Sequence, residues 1–584
     1  MIRQFTADFE TNVNEEDCRV WAYALCEIGD TDNFIYGNNM DDFMEWCASS
    51  AYNYKVYFHN LKFDGEYILS WLFSNGFEYI ENKKDRRSKT FTTLVTDMGV
   101  FYSIEIYFYV KGHHTNKVTI QDSLKILNFS VDKIGKDFGL PISKLSIDYT
   151  EFREKGHRLT QQEIDYIRND VTIVALALEK MFEQGLNKMT IASDAMSDYK
   201  SRCKRFRKLF PVLKLPIDSE IRASYKGGFT YLNPIWQEKE TGSGVVFDVN
   251  SMYPAKMRYE KLPFGTPERF EGKYEYDPVR PLYVQKLTCI FELKKGKIPS
   301  IQIKNSLSFM PNQYIESSDG DFVTLTLSSP DLELFFKQYD VTHLSWHGGF
   351  KFMATNTLFA DYVDHWTEKK IESKKEGNKS MYLISKLMLN SLYGKFGLNP
   401  IGRKKSPYLD DEGIVKYIIG DKEERKPVYI PVATFITAYA RKYIIESSQA
   451  IRDYSLAKYG YDAYVYSDTD SIHCLLKPED VEELSKVLEI DDYKLGAWKL
   501  ESEFVRGKYL HQKCYIEEDY NGNINVTVAG LPKRLSPLVN FDNFKPGFTT
   551  ATIPEEQIKQ TGRKLIYKHV QGGVLLVETD FTIK

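Results

Sequence analysis

Carboxylates close several short apolar stretches of this chain, and they come in pairs. In "YVYSDTDSIH" (464–473) Asp468 and Asp470 are separated by one threonine. Residues two apart on a strand share a face, and two anions held side by side repel each other. Such a pair is either a solvated strand end or tight hairpin, or one wall of a cation site. "TADFETN" repeats the pattern: Thr6, Asp8 and Glu10 share one face, while Phe5, Ala7 and Phe9 face the core. Asp64 ends the apolar run of "YFHNLKFDG" before a turn glycine, and Asp248 ends that of "GVVFDVNSMYP", where Pro254 closes the segment. Uncompensated buried charge is costly, so these residues do not belong to a plain apolar core.

The chain has 584 residues, 42% of them hydrophobic and 14% aromatic, which is globular and large enough for several domains. A net charge of −4 gives no global sign of a nucleic-acid partner, so any such surface must be locally basic. The seven scattered cysteines include no C-x-x-C pair, which argues against structural zinc and fits reduced thiols. "MIRQFTADFE" lacks a signal-peptide layout, and "VTIVALAL" is far shorter than a membrane span. A soluble intracellular protein with no membrane partner is expected.

Residues 1–187 mix strands with a long helix opening at Thr160, where Glu163 completes a capping-box pattern. An α/β domain is the natural reading, followed by an α+β remainder. "YKSRCKRFRKLFP" (199–211) is a basic helix face with interleaved aromatics, solvated or set against phosphates. Residues 261–357 hold alternating strands without clustered catalytic residue types and read as an insertion. "SPYLDDEGIVKYIIGDKEERKPVY" reads as a β-hairpin turning at Asp-Glu-Gly.

Asp8, Glu10, Asp64 and Asp170 together suit two divalent cations about 4 Å apart, a nuclease arrangement. Tyr166, one helical turn before Asp170, is placed to orient a water. Asp248 with Asp468 and Asp470 forms a second acid cluster. Lys386, Asn390 and Tyr393 fall at i, i+4 and i+7 of "KLMLNSLYG", offering a cation for a triphosphate and a ring for a base.

In order, "DFE", "NLKFDG", "YIRND", "YKGGF", "DVNSMYP", "KLMLNSLYG" and "YSDTDS" resemble the motifs of family B DNA polymerases, and specifically the protein-primed polymerases of small tailed bacteriophages, the phi-twenty-nine type. The resemblance implies an α/β ribonuclease-H-like 3′–5′ exonuclease domain (1–187). An α+β palm-fingers-thumb polymerase domain follows, with palm at 188–260 and 422–529, fingers at 358–397 and thumb at 530–584. Residues 261–357 and 398–421 would be the two terminal-protein regions, the second also enclosing template. The resemblance makes Asp8, Glu10, Asp64 and Asp170 exonuclease metal ligands, with Tyr166 and Lys144 assisting. Asp248, Asp470, the Val249 carbonyl and Asp468 would hold the polymerase metals, two Mg²⁺ or Mn²⁺ per site.

It further implies that Tyr253, Lys370, Lys386, Asn390 and Tyr393 bind the nucleotide, with Tyr253 excluding a ribose 2′-hydroxyl. Single-stranded DNA would meet Tyr57, His59, Asn60, Phe63, Ser123, Leu124 and Phe129. Tyr225, Gly227 and Gly228 would sit between the domains, and Thr437, Arg441, Lys513 and Tyr515 would touch the primer strand. Implied partners are primer-template DNA, deoxynucleoside triphosphates, a terminal protein that primes and a single-stranded-DNA-binding protein. The protein would be a monomer in the host cytoplasm, replicating a linear phage genome processively with strand displacement. The chain departs from the pattern at Asp97 and Tyr382, where basic residues are expected, and in the long, charged stretch from Trp366 to Lys386. The rivals are an RNA-directed polymerase and a catalytically inactive DNA-binding initiation protein.

Overall fold

The computed structural model describes residues 2–49, 53–112, 114–149, 151–302 and 313–584. Eight strands form the first sheet: β1 (Ile2–Thr11), β2 (Val20–Glu27), β3 (Asp30–Gly37), β4 (Asn53–Phe58), β5 (Glu78–Tyr79), β6 (Thr90–Val95), β7 (Phe101–Lys111) and β8 (His114–Asp122). Their order is β3-β2-β1-β4-β8-β7-β6-β5, with β1, β4 and β8 parallel at the centre. Helices α1 (Met40–Ala48) and α2 (Leu61–Ser74) pack on one face; α3 (Val131–Asp137) and α4 (Gln161–Glu183) follow β8. Phe5 and Phe9 enter an aromatic core with Phe43 and Phe58, as the alternation of β1 predicts. The opposite face is not open: α4 covers it, and the Thr6 hydroxyl donates to the Val171 carbonyl at 2.8 Å. Both halves of the Thr160–Glu163 capping box form.

Two expectations here change. Asp64 does not end a strand before a turn; Asn60, left-handed at φ 82°, starts α2, and Gly65 lies inside that helix. The basic segment is not one helix face either. Helix α5 (Ile191–Arg202) stops, α6 (Phe206–Leu209) is a single turn, and α7 (Leu215–Arg222) follows Pro211.

Beyond α7 the chain enters a five-stranded sheet through β9 (Thr230–Leu232), passes β10 (Glu240–Thr241) and reaches β11 (Gly244–Val249). Ser251, left-handed at φ 52°, turns β11 into α8 (Met252–Tyr259), so Pro254 lies in the first turn of a helix instead of closing a segment. The 261–357 insertion is an antiparallel sheet of β12 (Leu262–Phe270), β13 (Leu282–Leu293), β14 (Val323–Ser328) and β15 (Tyr339–Thr355), with α9 (Ser329–Gln338) against it. Residues 303–312 of that insertion lie outside the described residues. Helices α10 (Ala360–Lys375) and α11 (Lys379–Ser391) form an antiparallel pair. A one-residue interruption at Leu392, itself helical at φ −72° and ψ −49°, separates α11 from the turn α12 (Tyr393–Phe396) that carries Tyr393.

The second insertion holds β16 (Ile401–Gly402), β17 (Lys405–Leu409), β18 (Val415–Ile419) and β19 (Glu423–Glu424). The expected hairpin is β17–β18, and the β16–β19 pair carries the insertion's root to Glu424, past residue 421. The 30-residue α13 (Ile430–Tyr459) then underlies β20 (Tyr464–Asp468), β21 (Ser471–Cys474) and β22 (Trp498–Phe504), giving the sheet order β22-β11-β21-β20-β9. Strands β23 (Arg506–His511), β24 (Cys514–Glu518) and β25 (Ile524–Val528) share a core with Phe541, Phe548 and Phe581. Packing therefore bridges residue 530. The chain ends with the hairpin β26 (Lys564–Val570) and β27 (Gly573–Thr579), which docks on α2, where Tyr67 Oη donates to the Val574 carbonyl at 2.6 Å.

Candidate active sites

The N-terminal acids meet in one cleft of about 260 Å³, lined by Asp8 and Glu10 from β1, Asp64 from α2 and Tyr166 and Asp170 from α4. Asp64 and Asp170 are 3% and 4% exposed, yet one oxygen of each has no hydrogen-bond partner. Burial, with Asp170 beside it, pushes the Asp8 carboxyl up to about 7. Burial, Asp8 and Asp170 raise Glu10 well above the carboxylate range, and burial and Asp8 do the same to Asp64. Lys144 ion-pairs with Asp170 and is the cation opposing this crowding. Orphaned carboxylate oxygens converging in a low-dielectric cleft are the donor set of a divalent cation. Among the described residues no three such side chains form a finished cage, so the donors fit an ion without being closed around one.

Around this cleft the expected single-strand residues separate into two groups. His59, Asn60 and Phe63 line it. Ser123 and Tyr57 do not line it: both are fully buried, and their hydroxyls bond inward, Ser123 to the Phe58 carbonyl and Tyr57 to Gln4. Ser123 Oγ and the Phe129 carbonyl instead hold the two ring nitrogens of His59, at 3.0 and 2.6 Å. Leu124 is half-buried beside them. Two tyrosines were not foreseen. Tyr149 shares a 2.6 Å hydrogen bond with Tyr166, and Tyr567, from the C-terminal hairpin, accepts from Asn60 at 3.3 Å at the cleft's edge. Sequence distance hides the second, because a hairpin 507 residues away supplies it.

In the second site Asp248 pairs in register with Ser471 on one side and Lys499 on the other. Asp470 is not on the strand with Asp468; it lies in the two-residue turn between β20 and β21, with Thr469 left-handed at φ 63°. Its carbonyl accepts the Val249 amide at 2.8 Å, which locks the turn to β11. Burial raises Asp248 to about 7, with Asp470 and Glu501 adding; burial also raises Asp470, with Asp468 and Glu501 adding. Asp468 differs, since Lys513 Nζ donates to both its oxygens at 2.7 and 2.9 Å and Thr230 and Tyr466 also bond it. Asp248 has only a long ion pair with Lys499, at 3.6 Å, and stays with Asp470 the less compensated pair, whereas Asp468 is held by Lys513.

Opposite these acids the rings of Tyr253 and Tyr393 stack with centroids 4.2 Å apart. Burial lowers the pKa of Lys370, with Lys386, Lys499 and Lys374 adding, so four lysines crowd one place, and Lys370 Nζ reaches Ser251 Oγ at 3.4 Å. Lys499 and Glu501 were not singled out in the sequence, because "WKLESEF" reads as a solvated alternating strand until pairing with β11 places it. Asn390 is exposed on α11. A Cβ at Gly228 would lie 2.9 Å from Thr469 and 3.0 Å from Tyr253, so "YKGGF" needs glycine there to approach the turn; Gly227 is open. Tyr225 packs over Gly397. Tyr515 sits in a ring cluster with Tyr466, His473 and Tyr509. Thr437 and Arg441 are 2% and 4% exposed on α13, with Arg441 in the wall of a cavity of about 360 Å³. Arg441 donates to Asp331 and to the carbonyls of Lys226 and Gly227, so it positions the "YKGGF" segment.

The profile of the family described as DNA polymerase type B, organellar and viral, matches residues 47–157 and 148–477. The chain belongs to that family. The DNA polymerase of Bacillus phage M2 is 43% identical over the full length of both chains, and that of Bacillus phage phi29 is 42% identical over all of this chain and 99% of its own. The solved structure of Phi29 DNA polymerase in an orthorhombic crystal form superposes with a TM-score of 0.90 at 41% identity, each chain covered completely. Phi29 DNA polymerase complexed with primer-template DNA gives 0.89 at 40% identity, again with complete coverage. This type B polymerase is a DNA-directed DNA polymerase with an exonuclease-type domain followed by palm, fingers and thumb. Membership removes the RNA-directed and inactive rivals. Polymerases of this type use divalent metal ions, which agrees with the under-compensated carboxylates of both sites. Among the described residues no helix is long and apolar enough to cross a membrane.

Proposed function

We propose that this polymerase extends a primed DNA template at the Asp248–Asp470 site and trims 3′ ends at the Asp8–Asp170 site. We propose further that it starts replication of a linear phage genome from a protein primer and displaces the strand ahead as it proceeds. The observation that carries the synthetic reading is the stack of Tyr253 on Tyr393, facing Asp248 and Asp470 and flanked by Lys370, Lys386 and Lys499. Lysines at that place neutralise a triphosphate, and the stacked rings give a base pair a flat floor. Tyr253, held against Tyr393, would stand under the sugar of an incoming nucleotide and exclude a ribose 2′-hydroxyl. Two Mg²⁺ or Mn²⁺ ions held at each acid cluster would supply charge stabilisation for phosphoryl transfer. Asp248 and Asp470 would hold them in one site, with the Val249 carbonyl near; Asp8, Glu10, Asp64 and Asp170 would hold them in the other. In the N-terminal cleft Tyr166, aligned by Tyr149, and Lys144 orient the attacking water. His59, Asn60 and Phe63 receive the single strand.

Host cytoplasm, action as a monomer, and help from a single-stranded-DNA-binding protein complete the reading. The two insertions, 261–357 and 398–424, are the surfaces assigned to the terminal protein.

Primer extension tests both sites at once. Asp470→Asn should lose extension by at least roughly a thousandfold while still shortening 3′ ends without nucleotides, and Asp8→Ala should do the reverse. Extension surviving in Asp470→Asn, or trimming surviving in Asp8→Ala, would remove the corresponding site.

A further inference from the structure

The basic stretch after the exonuclease domain has no part in either active site, yet it builds a cleft. Lys200, Lys204, Arg205, Arg207 and Lys208, with Lys426 from the far side, line a concavity of about 800 Å³. None of these six enters an ion pair among the described residues. Arg202, the last residue of α5, contrasts with them: it is paired with both Asp198 and Asp361. A merely solvated face interleaves acids, as α10 does in "EKKIESKKE"; this one has none. The repulsion reaches α12, where burial and Lys200 lower the pKa of Lys395. The ring of Phe206 is half-buried in the cleft with Lys200 Nζ 4.8 Å above it. Unpaired cations in a concavity, with an aromatic among them, match the chemistry that tracks a single-stranded phosphate backbone. A lone phosphate would leave most of these charges unused.

Its place says which strand. Phe206 and Phe210 pack on Phe396, with centroids 6.4 and 5.2 Å apart. Phe396 is three residues beyond Tyr393, about 4.5 Å along the helix axis. Lys426 follows directly on the root of the second insertion. The cleft therefore runs between that root and the turn bearing the ring assigned to the nascent pair. The primer ends at that pair, so only the template continues past it.

We infer that this cleft binds the sugar–phosphate backbone of the unpaired template strand just ahead of the templating base. The inference rests on the proposed role of Tyr393. The test is binding of fluorescent primer-templates carrying a template overhang of one or twelve nucleotides, measured across a salt series. The wild type should bind the long overhang roughly tenfold more tightly, with a log–log salt slope steeper by about 3, since each single-strand phosphate contact adds about 0.7. The variant Lys204→Ser/Arg205→Ser/Arg207→Ser/Lys208→Ser should lose that increment while binding the short overhang as before. The milder Lys204→Ser/Lys208→Ser, checked by its melting temperature, should lose about half of it. An unchanged increment in both variants overturns the proposal. So does a loss seen only on a substrate with a displaced 5′ flap, which would give the cleft to the other strand. Tyr393→Ala separates the two readings: it should lower incorporation equally at both overhang lengths, and intact incorporation would remove the nascent-pair role without touching the binding result.

Discussion

Arg441 shows how a residue's type suggests one role and its surroundings impose another. A basic side chain in a polymerase motif reads as a phosphate contact. In the fold its guanidinium is buried, with Nη2 2.7 Å from Asp331 and Nη1 2.8 Å from each of the Lys226 and Gly227 carbonyls. Asp331 belongs to α9 of the first insertion, so one charge ties α13, that insertion and the "YKGGF" segment together. Removing one partner of a buried pair strands the other, at about 3–5 kcal/mol. Arg441→Ala should accordingly lower unfolding stability by about 3 kcal/mol in denaturant melts. Arg441→Lys should recover only part, because an ammonium cannot reproduce the fork. A direct DNA contact would give a different signature: an unchanged melt and a flatter salt dependence of DNA binding. The same distinction separates Ser123 and Tyr57, which shape the exonuclease cleft from within, from His59 and Phe63, which line it. The family resemblance marked all of these positions; burial separates those that line a surface from those that support one.

At the scale of elements, local signals were readable where local chemistry decides. Thr160 and Glu163 satisfy the first amides of α4 by themselves, and Asp-Glu-Gly turns β17 into β18. Reading failed where a left-handed residue starts a helix, at Asn60 and Ser251, because the glycine or proline that follows looks like a stop. It failed also for Lys499 and Glu501, whose meaning depends on pairing with a strand about 250 residues earlier. One junction of elements yields a pH prediction. Glu66 of α2 is 2% exposed; it accepts a 2.8 Å bond from Tyr417 of β18, and His569 Nδ1 of β26 is 3.6 Å away. Burial raises its carboxyl from 4.5 to about 8, with Tyr417 and Lys62 opposing. The unfolded chain releases this proton near its ordinary value while the folded one keeps it, so stability falls as pH rises between about 4.5 and 8 and is level above. The cost at pH 8 is on the order of 4 kcal/mol or less. Glu66→Gln, which keeps an acceptor for Tyr417, should melt like the wild type at pH 4.5 and several degrees higher at pH 8. Parallel melting curves across that range would contradict this account.

Over the whole molecule, the hairpin of the second insertion and the C-terminal hairpin join in a circuit of contacts with the exonuclease domain. The second insertion leaves the fingers after Phe396, rests on the exonuclease domain through the Thr96–Lys404 bridge and the Tyr417–Glu66 bond, and returns to α13. The C-terminal hairpin rests on the same domain through Tyr67 and the Lys568–Glu15 ion pair. Their tips meet in one antiparallel bridge, Ile414 to Gln571. A strand held inside such a circuit cannot leave sideways, which gives the proposed processivity and strand displacement a mechanical basis. The tip contact is also the natural gate, since it is small: beside the bridge it holds the Tyr417–His569 ring contact, with centroids 6.3 Å apart, and the packing of Val415 into the same core as Val570 and Val574. Antiparallel partners have Cα atoms about 4.5–5.5 Å apart, within the span of a disulfide. The native cysteines are buried except Cys203, which is half-buried, so Ile414→Cys/Gln571→Cys in a Cys203→Ser background should cross-link at one place. Oxidised before mixing, this variant should fail to load on a primed circular template yet extend a short linear one threaded from its end. Oxidised after loading, it should stay on the circle through a heparin challenge that strips the reduced form. Equal loading of the oxidised and reduced proteins on circles would show that DNA does not pass through the circuit.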